Sequence, residues 1–537
     1  MRLHHRYIAI AALLALVFLP FAVAETVMVP MRDGIRLHTD VYLPEGDGPF
    51  PVVLTRTCYG MKVGAAVAER FHALGMAFVL QNTRGRNQSE GKDMVFADDG
   101  WGKRQDGADT VAWIHQQPWC NGKVGTWGGS ALGMTQNLLA GATQDIDCQC
   151  IGVAASNFYR QVGFQGGVWR KALTEGWLKL QKSEYIVDVW QSHPYYDEFW
   201  EHHDAEARAK RITAPGVHMG GYWDIFGQGT LNAFMTRQHR GRRGAKGNQK
   251  LIIGAWVHGP LKKVGDIEMP DNFNFDMGAY ENRFYRYWLL GEDNGIMDEP
   301  AVNYYTLGDV TRPDGPGNEW HTADDWPPFR TDETPYFLAF DGALLTERPK
   351  VKDAALTFTY DPADPCPTHG GQNLLIPAGP FDQAELAKRP DVFTFATEPL
   401  REPLEITGRV HARLYVSSDA PDTDFTAKLV DIYPDGRQLL MLDSIQRVKL
   451  RKSYRKPKPL KTGKIAKVDI DLWSISLIFD TGHRIGLHVS SSNYPRFEKN
   501  PNSGDDYPTE EILRIAHNTV YVNKKHPSAL ILPVRRH

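Results

Sequence analysis

Cysteine is scarce in this sequence, since the 537 residues include only five. Their spacing matches no zinc-binding pattern, which argues against a structural zinc module. The sequence also has no large excess of positive or negative charge, because the formal net charge is only −3. A mildly acidic chain is a poor nucleic-acid binder, so we expect no nucleic-acid partner. Internal repeats and low-complexity tracts are absent too, which leaves an ordinary globular protein of two to four domains at roughly 150 residues each.

Long apolar runs are also rare, and the one clear run, from Tyr7 to Phe21, lies at the N-terminus. It is shorter than the roughly 20 residues that a membrane span needs. Basic residues precede it and Ala22-Val23-Ala24 follows it, which is typical of a cleaved secretory signal at 1–24. An uncleaved anchor has a similar pattern and stays open. We expect export to the periplasm or medium, without stable membrane insertion after cleavage.

Export would permit disulfides, so the cysteines need two interpretations. Cys120 precedes one strand candidate, and Cys148 and Cys150 precede the next along the chain. If those strands are parallel neighbours, Cys120 could be bridged to Cys148 or Cys150. Free or buried thiols are equally compatible with the pattern, because sequence gives no distances between Cα atoms.

The pattern of the mature chain divides it into zones. Strand and helix candidates alternate over 25–156 and again over 214–333, which is typical of a mostly parallel sheet with helices on both faces. The residues 157–213 between them show helical spacing and no clear strand, so we expect a helical cap over the site. Over 334–537, short β-branched segments separated by turn residues predict an antiparallel jelly roll or sandwich.

Two basic clusters interrupt the otherwise mixed charge pattern. Neither combines basic residues with the interleaved aromatic residues that a nucleic-acid surface would need. We therefore expect solvated loops at both. The clusters are Arg237, Arg240, Arg242, Arg243, Lys246 and Lys250, and Arg447, Lys449, Arg451, Lys452, Arg455, Lys456, Lys458, Lys461 and Lys464.

The most informative motif is Gly128-x-Ser130-x-x-Gly133, between a strand candidate and a helical stretch. A serine on a tight strand-to-helix turn is exposed, and the helix N-terminus favours negative charge that develops beside it. The motif is one residue longer than the usual Gly-x-Ser-x-Gly, so alone it is a moderate signal. It makes Ser130 a candidate nucleophile.

Candidate partners for Ser130 follow two later strands. Asp224 comes shortly after the strand candidate that ends at Met219, and His258 after the one that ends at Trp256. A serine needs a base to activate it and an acid to orient the base. The order serine, acid, histidine is that of α/β hydrolases. Each residue alone has a structural explanation, but together they form a candidate triad.

An oxyanion hole is the third requirement of such chemistry. One donor would be the backbone N–H of Ala131, the residue after the nucleophile. A second would come from Tyr59, which follows the third strand candidate and could offer its phenol O–H or its backbone N–H. The structural alternative for Tyr59 is an aromatic residue packed at a strand end.

These residues resemble the cocaine esterase / X-prolyl dipeptidyl peptidase group of serine hydrolases. The resemblance covers nearly the whole mature chain and implies an α/β-hydrolase domain with an inserted helical cap and a C-terminal jelly roll. It also implies the triad Ser130, Asp224 and His258, an oxyanion tyrosine at Tyr59, and no metal or organic cofactor. The stretches that carry it are 29–34 with 40–42, 84–91, 117–125, 360–371 and 491–497.

Departures from the family pattern concern the pocket. Ala131 stands where the family often has tyrosine, and Asn82 where aspartate is common. Ile225 and Phe226 occupy places where the related α-amino-acid ester hydrolases have carboxylates that hold a substrate ammonium. An apolar wall there favours an uncharged acyl group.

Three aromatic side chains are candidates for the substrate pocket. They are Phe226, Trp169 and Trp223. Each could equally belong to a core.

The sequence therefore predicts an exported serine hydrolase that cleaves small-molecule acyl esters, or amides, through an acyl-enzyme on Ser130. An X-prolyl dipeptidyl peptidase or a β-lactam side-chain acylase is the enzymatic alternative, and would need an acid of the cap, Glu175, Glu184 or Asp188, aimed at the pocket. A secreted carbohydrate-binding protein with an inert hydrolase site is the alternative of another class. The oligomeric state stays open, and a homo-oligomer is compatible with the sequence.

Overall fold

A computed structural model describes residues 24–505 and 513–536. All but the last residue of the predicted signal peptide lies outside these ranges. The first part of the chain alternates strands and helices. Its elements are β1 (Ala24–Pro30), β2 (Arg36–Tyr42), β3 (Phe50–Thr57), α1 (Gly64–His72), β4 (Ala77–Asn82), α2 (Asp106–His115), β5 (Cys120–Gly129), α3 (Ala131–Ala142) and β6 (Cys148–Gly152).

The cap is mainly helical, but it begins with a π-helical turn at Tyr159–Gly163 and a short hairpin. The prediction of no strand in this region is therefore wrong at the hairpin, whose two-residue strands are too short to give an alternating pattern. A 3₁₀ turn at Ala209–Arg211 ends the cap. Its elements are β7 (Phe164–Gln165), β8 (Val168–Trp169), α4 (Lys171–Leu180), α5 (Tyr185–Gln191) and α6 (Glu198–Glu201).

The strand–helix alternation resumes after the cap. A small hairpin, β11 and β12, interrupts it, and a 3₁₀ turn at Asp271–Phe273 precedes the last helix. The elements are β9 (Gly216–Gly221), α7 (Gly227–Arg240), β10 (Gln249–Gly254), β11 (Lys263–Val264), β12 (Ile267–Glu268), α8 (Met277–Leu290), β13 (Val302–Thr306) and β14 (Glu319–Ala323).

These strands form one ten-stranded sheet in the order β1-β2-β4-β3-β5-β6-β9-β10-β13-β14. The strands from β4 to β13 in this order pair in parallel, and β1, β2 and β14 pair antiparallel at the edges. Apolar clusters cover both faces, with Phe71 and Tyr285 on one and Val111 and Leu139 on the other. A parallel sheet needs such cover, and it aligns the carboxyl ends of β5, β9 and β10 along one edge.

The C-terminal part is all β, with 3₁₀ turns at Leu386–Lys388 and Val448–Leu450. It forms a seven-stranded and a four-stranded antiparallel sheet, which share one apolar core. A jelly-roll connectivity stays a prediction. The strands are β15 (Thr331–Leu338), β16 (Leu344–Leu345), β17 (Ala355–Tyr360), β18 (Phe393–Ala396), β19 (Leu404–Ser418), β20 (Asp424–Ile432), β21 (Gln438–Arg447), β22 (Ala466–Phe479), β23 (Arg484–Ser490), β24 (Ala516–Tyr521) and β25 (Ala529–Arg535).

Within the described ranges, every helix is too short or too polar to cross a membrane.

The basic clusters are only partly the solvated loops that we expected. Arg237 and Lys250 are buried, and so are Arg447 and Lys449. Arg447 pairs with Asp424 at 3.1 Å, so its charge is compensated inside the C-terminal part. Arg237 donates instead to the side-chain amides of Gln149 and Asn137. The clustering of like charges in the sequence does not reveal these partners, because they lie outside the clusters.

All five cysteines are free thiols. Gly125, five positions after Cys120, is the residue of β5 that pairs with Cys148. At about 3.3 Å per residue, Cys120 therefore lies roughly 16 Å further along the strand, beyond the reach of a disulfide. Of the two interpretations of the cysteines, the structure favours the free thiols.

A buried histidine joins the two halves of the molecule. His483 lies 2.9 Å from Asp431 of β20 through Nδ1 and 3.5 Å from Asp309, after β13, through Nε2. Burial opposes its charge, but the hydrogen bond and the charge of Asp431, together with Asp309 and Asp480, raise the pKa of His483 above 6.5. The protonated imidazolium therefore stabilises the folded state.

We expect His483→Gln to lower the thermal unfolding midpoint most below about pH 6.5, where the wild-type imidazole is protonated in the folded and unfolded states. The difference should shrink as the pH rises through the raised folded pKa, because the stabilising charge is then lost. Calorimetry of both proteins from about pH 5.5 to about pH 9 measures it. A difference that stays constant or grows with pH would contradict the ionic role of His483.

Candidate active site

Ser130 lies on the sharp turn between β5 and α3. Its backbone has a positive φ of 56° and a ψ of −125°. Residues other than glycine rarely adopt this conformation. A Cβ on Gly133 would lie 2.7 Å from the Cβ of Ala154, so only glycine fits there. The last glycine of the Gly-x-Ser-x-x-Gly motif, Gly133, thus allows the turn to pack closely against the loop after β6. The serine side chain lies on the outer side of this turn.

The structure brings Ser130, His258 and Asp224 together. His258 follows β10, and its Nε2 lies 2.9 Å from Ser130 Oγ. Its Nδ1 lies 2.7 Å from Oδ1 of Asp224, which is fully buried in the turn between β9 and α7. The Phe226 ring packs edge-on against the imidazole at 5.9 Å between centroids. This geometry allows the histidine to accept the serine proton while the carboxylate fixes its orientation.

Both candidate oxyanion donors lie beside Ser130. Ala131 begins α3, and the first N–H groups of a helix have no partner inside it. The backbone N–H of Tyr59 donates to Thr57 Oγ1 at 3.0 Å, so it is not available. The phenol is available, because Trp177 Nε1 donates to its oxygen at 3.3 Å and leaves its own O–H free to donate.

The phenol of Tyr59 is in the form that an oxyanion requires. Although the residue is half exposed, desolvation raises the pKa of Tyr59 to about 12. The group therefore stays protonated at neutral pH. Trp177, which donates to the phenol oxygen, lies with Ser130 in the wall of one cavity.

We expect Tyr59→Phe to lower kcat for ester hydrolysis by roughly 10²–10³-fold, the usual cost of one oxyanion donor. KM should change little, because the donor acts mainly in the transition state. Tyr185→Phe is the matched control, since its hydroxyl donates to the backbone of Asp93 on the cap side. Equal kcat values for Tyr59→Phe and wild type would remove Tyr59 from the site.

An apolar cavity of about 30 Å³ opens at Ser130. Apart from Ser130 and Thr174, its lining is apolar and includes no charged side chain. Phe226 lines it, as predicted. The other lining residues are Val95, Phe96, Ala131, Met134, Phe158, Val162, Leu173, Trp177, Leu178, Trp190 and Leu374.

Trp169 and Trp223, the other two pocket candidates, do not line this cavity. Both are fully buried. The indole N–H of Trp169 donates to Glu175 at 3.1 Å, and that of Trp223 donates to the carbonyl of Met441 at 3.0 Å. They belong to the cores between the cap, the hydrolase sheet and the C-terminal part.

Leu374 is a site residue that sequence reasoning missed. It lines the cavity at Ser130 and also a second cleft, of about 340 Å³, which His258 lines as well. It comes from the C-terminal part, more than a hundred residues after the triad. Nothing in its local sequence distinguishes it from an ordinary loop leucine, so only the structure reveals that it lines both spaces.

The comparisons with known proteins show which family the chain belongs to. X-Pro dipeptidyl-peptidase (S15 family) matches residues 33–185 and 178–260, and the X-Pro dipeptidyl-peptidase C-terminal non-catalytic domain matches 294–531. The cocaine esterase of a Rhodococcus species is 31% identical over 96% of this chain and 99% of its own length. The chain belongs to the cocaine esterase and X-Pro dipeptidyl-peptidase family. It is therefore a serine hydrolase that acts on esters or peptides.

Solved structures of the same architecture confirm the fold of this family member. An aminopeptidase from a Thaumarchaeota archaeon has a TM-score of 0.81 at 24% identity, covering 96% of each chain. An α-amino acid ester hydrolase has a TM-score of 0.80 at 24% identity, covering 96% of this chain and 97% of its own. At this identity the likeness shows the α/β-hydrolase fold with a C-terminal β domain, and no more.

No group of three or more metal-ligating side chains comes together in the described ranges.

Proposed function

We propose that this family member is an exported serine esterase whose Ser130 forms an acyl-enzyme with uncharged acyl groups. The observation that carries the proposal is the apolar cavity with Ser130 at its wall and no charged side chain in its lining. Such a pocket binds an apolar acyl group by burial and leaves an ammonium without a partner.

The triad supports a two-step acyl transfer. Ser130 Oγ attacks the ester carbonyl as His258 Nε2 takes its proton, and the backbone N–H of Ala131 and the Tyr59 phenol stabilise the oxyanion. His258 then returns the proton to the departing alcohol, which leaves through the cleft beyond Leu374. A water activated by His258 releases the acid and restores Ser130. Asp224 holds the imidazole throughout.

The acids that a dipeptidyl peptidase or an amino-acylase would need do not point into the cavity. Glu175 is engaged by the indole of Trp169 and the ammonium of Lys171 at 3.1 and 2.9 Å. Glu184, directly before α5, and Asp188, on α5, are both exposed. Selectivity for an ammonium requires a partner charge, so these positions favour the esterase.

The test compares three substrates on the purified 25–537 protein: p-nitrophenyl butyrate, glycyl-prolyl p-nitroanilide and D-phenylglycine methyl ester. We expect kcat/KM for the butyrate to exceed the other two by roughly 100-fold or more, because a buried ammonium would be unpaired. Glu175→Gln with Glu184→Gln and Asp188→Asn should leave butyrate turnover unchanged. Preference for the anilide or the amino ester would overturn the proposal.

Export rests on the sequence of residues 1–24 alone. We expect the protein recovered from the periplasm or medium of an expressing bacterium to begin at Glu25 by intact mass. If the protein retains Met1 and stays with the membrane fraction, residues 1–24 are an uncleaved anchor rather than a cleaved signal.

A further inference from the structure

A third cavity, far more polar than the one at Ser130, lies where the cap, α7 and the C-terminal strands β19, β21 and β22 meet. Its volume is about 200 Å³. That is an order of magnitude more than the roughly 10–15 Å³ that one water needs. We propose that this polar groove binds a neutral, hydroxyl-rich ligand, a saccharide unit, independently of ester hydrolysis.

Side-chain amides dominate the lining of the polar groove. They are Gln161, Gln165, Gln228, Asn232 and Gln446. An amide offers both donors and acceptors, and a sugar hydroxyl does the same, so the two classes of group match each other in either orientation. The groove is thus lined by the chemistry that recognises neighbouring hydroxyl groups.

Most of these amides are held in fixed positions. Glu206 Oε1 accepts from Gln161 Nε2 at 2.7 Å and from Asn232 Nδ2 at 3.0 Å. Gln228 Nε2 donates to Asn232 Oδ1 at 2.9 Å, and Ser474 Oγ donates to Gln228 Oε1 at 2.9 Å. A network of this kind pre-organises a binding surface, because little rotamer freedom remains to be lost when a ligand binds.

Gln165 differs from the other amides because one of its polar atoms has no partner, which points to a ligand. Its side chain is 2% exposed, and Nε2 donates to Ser444 Oγ at 3.0 Å. Its Oε1 is buried without a hydrogen-bond partner. Exchanging the amide oxygen and nitrogen would leave the nitrogen unpaired instead, so one polar end of Gln165 lacks a partner in either assignment.

The hairpin that carries Gln165 is fixed against the C-terminal part. A Cβ at Gly166 would collide with the carbonyl of Ile445, and the Gly166 carbonyl accepts from the backbone N–H of Arg447 at 2.8 Å. Gly166 also has a left-handed φ of 58°. The position of Gln165 in the groove is therefore set by backbone packing rather than by a loop that could turn away.

Two aromatic side chains give the groove apolar surface. Tyr454 and Trp473 line it beside the amides. Trp473 has a φ of 76° at an irregularity in the pairing of β22 with β19. Strain at a non-glycine residue often marks a binding site, and the bulge directs the indole towards the groove.

The charges of the groove favour a neutral ligand over an ionic one. Arg160 and Arg409 are balanced by Glu206 and Asp471, so the lining has no net charge. Arg409 is already paired with Asp471, with Nε 2.9 Å from Oδ1. The contacts come from side chains rather than from an open strand edge, which also argues against a peptide bound by strand addition.

Saturation-transfer NMR on the purified 25–537 protein tests the proposal with N-acetylglucosamine, methyl α-glucoside, maltose and, for the peptide alternative, trialanine. Gln165→Leu removes the unpaired amide, and Thr236→Tyr fills the groove from the partly exposed face of α7. Gln116→Leu, on the exposed end of α2, is the matched control. Circular dichroism shows which variants fold, and Thr236→Tyr decides alone if Gln165→Leu does not.

We expect transfer to at least one saccharide from wild type and from Gln116→Leu, and binding weakened roughly tenfold or more in the two groove variants. If no saccharide receives transfer, the polar groove is a water-filled space between domains and the proposal is overturned. Equal binding by the groove variants would overturn it as well, because the saccharide would then lie elsewhere. Binding of trialanine alone would replace the saccharide by a peptide.

Discussion

Ser130→Ala is expected to lower kcat for p-nitrophenyl butyrate by roughly 10⁶-fold, the largest effect of any single change in this protein. Ser130 Oγ is the atom that the triad geometry activates, 2.9 Å from His258 Nε2. Alanine leaves the cavity and the oxyanion donors in place, so a residual rate above that in water should remain. Single-turnover and steady-state kinetics on the same preparation measure the loss of kcat and the residual rate. A loss smaller than about tenfold would remove Ser130 from the mechanism.

Ser130→Gly is the matched control that separates chemistry from backbone strain. Both variants lack the hydroxyl, but only glycine adopts the φ of 56° at Ser130 without steric cost. Strain of this kind costs roughly 1–3 kcal/mol, so Ser130→Gly should unfold at a higher temperature than Ser130→Ala while being equally inactive. If the two variants unfold together, the turn is not strained by its side chain.

The triad candidates could be predicted because their signals are local. Ser130, Asp224 and His258 each follow a strand with a clear apolar pattern, and the parallel sheet brings the ends of β5, β9 and β10 to one edge. The position of each residue shortly after a strand therefore predicted that the three side chains lie near each other. The sequence pattern predicted a mostly parallel sheet and the change to an all-β C-terminal part, and the family resemblance implied the α/β-hydrolase fold. The structural comparisons confirm that fold.

The walls of the pocket could not be predicted in the same way. Trp169 and Trp223 are of a residue type that often lines pockets. In the structure they are buried in the core, where their indole N–H groups donate to Glu175 and to the carbonyl of Met441. Leu374 reaches the site from the C-terminal part, and no periodicity links it to Ser130. Such positions are set by packing between distant segments, which one sequence does not record.

The choice between the two donors of Tyr59 was equally hidden. It depends on Thr57, whose hydroxyl occupies the Tyr59 backbone N–H, and on Trp177 of the cap, which orients the phenol. The sequence placed Tyr59 at a strand end and left both donors open. Hydrogen-bond competition within a few ångströms decides between them, and only coordinates contain that information.

Asp224→Asn is expected to lower kcat by roughly 10⁴-fold while the folded structure is retained. The carboxylate is fully buried, and its Oδ1 accepts from His258 Nδ1 at 2.7 Å. An amide that turns its nitrogen towards the ring would donate to Nδ1 instead, and the proton would then sit on Nε2. The imidazole in that tautomer cannot accept the proton of Ser130, so the nucleophile loses its base. Active-site-titrated kcat for p-nitrophenyl butyrate measures the loss.

Asp431→Asn supplies the control for this prediction, because it makes the same chemical change in a second buried pair. Asp431 lies 2.9 Å from Nδ1 of His483, and both residues belong to the C-terminal part, away from the cavity at Ser130. It should lower the unfolding midpoint without changing kcat per folded molecule, since its histidine faces no nucleophile. Asp224→Asn should instead cause a large loss of kcat with little change in the unfolding midpoint. If both variants lost kcat equally, the effect of Asp224 would be structural; if Asp224→Asn kept kcat within tenfold, the carboxylate would not set the tautomer of His258.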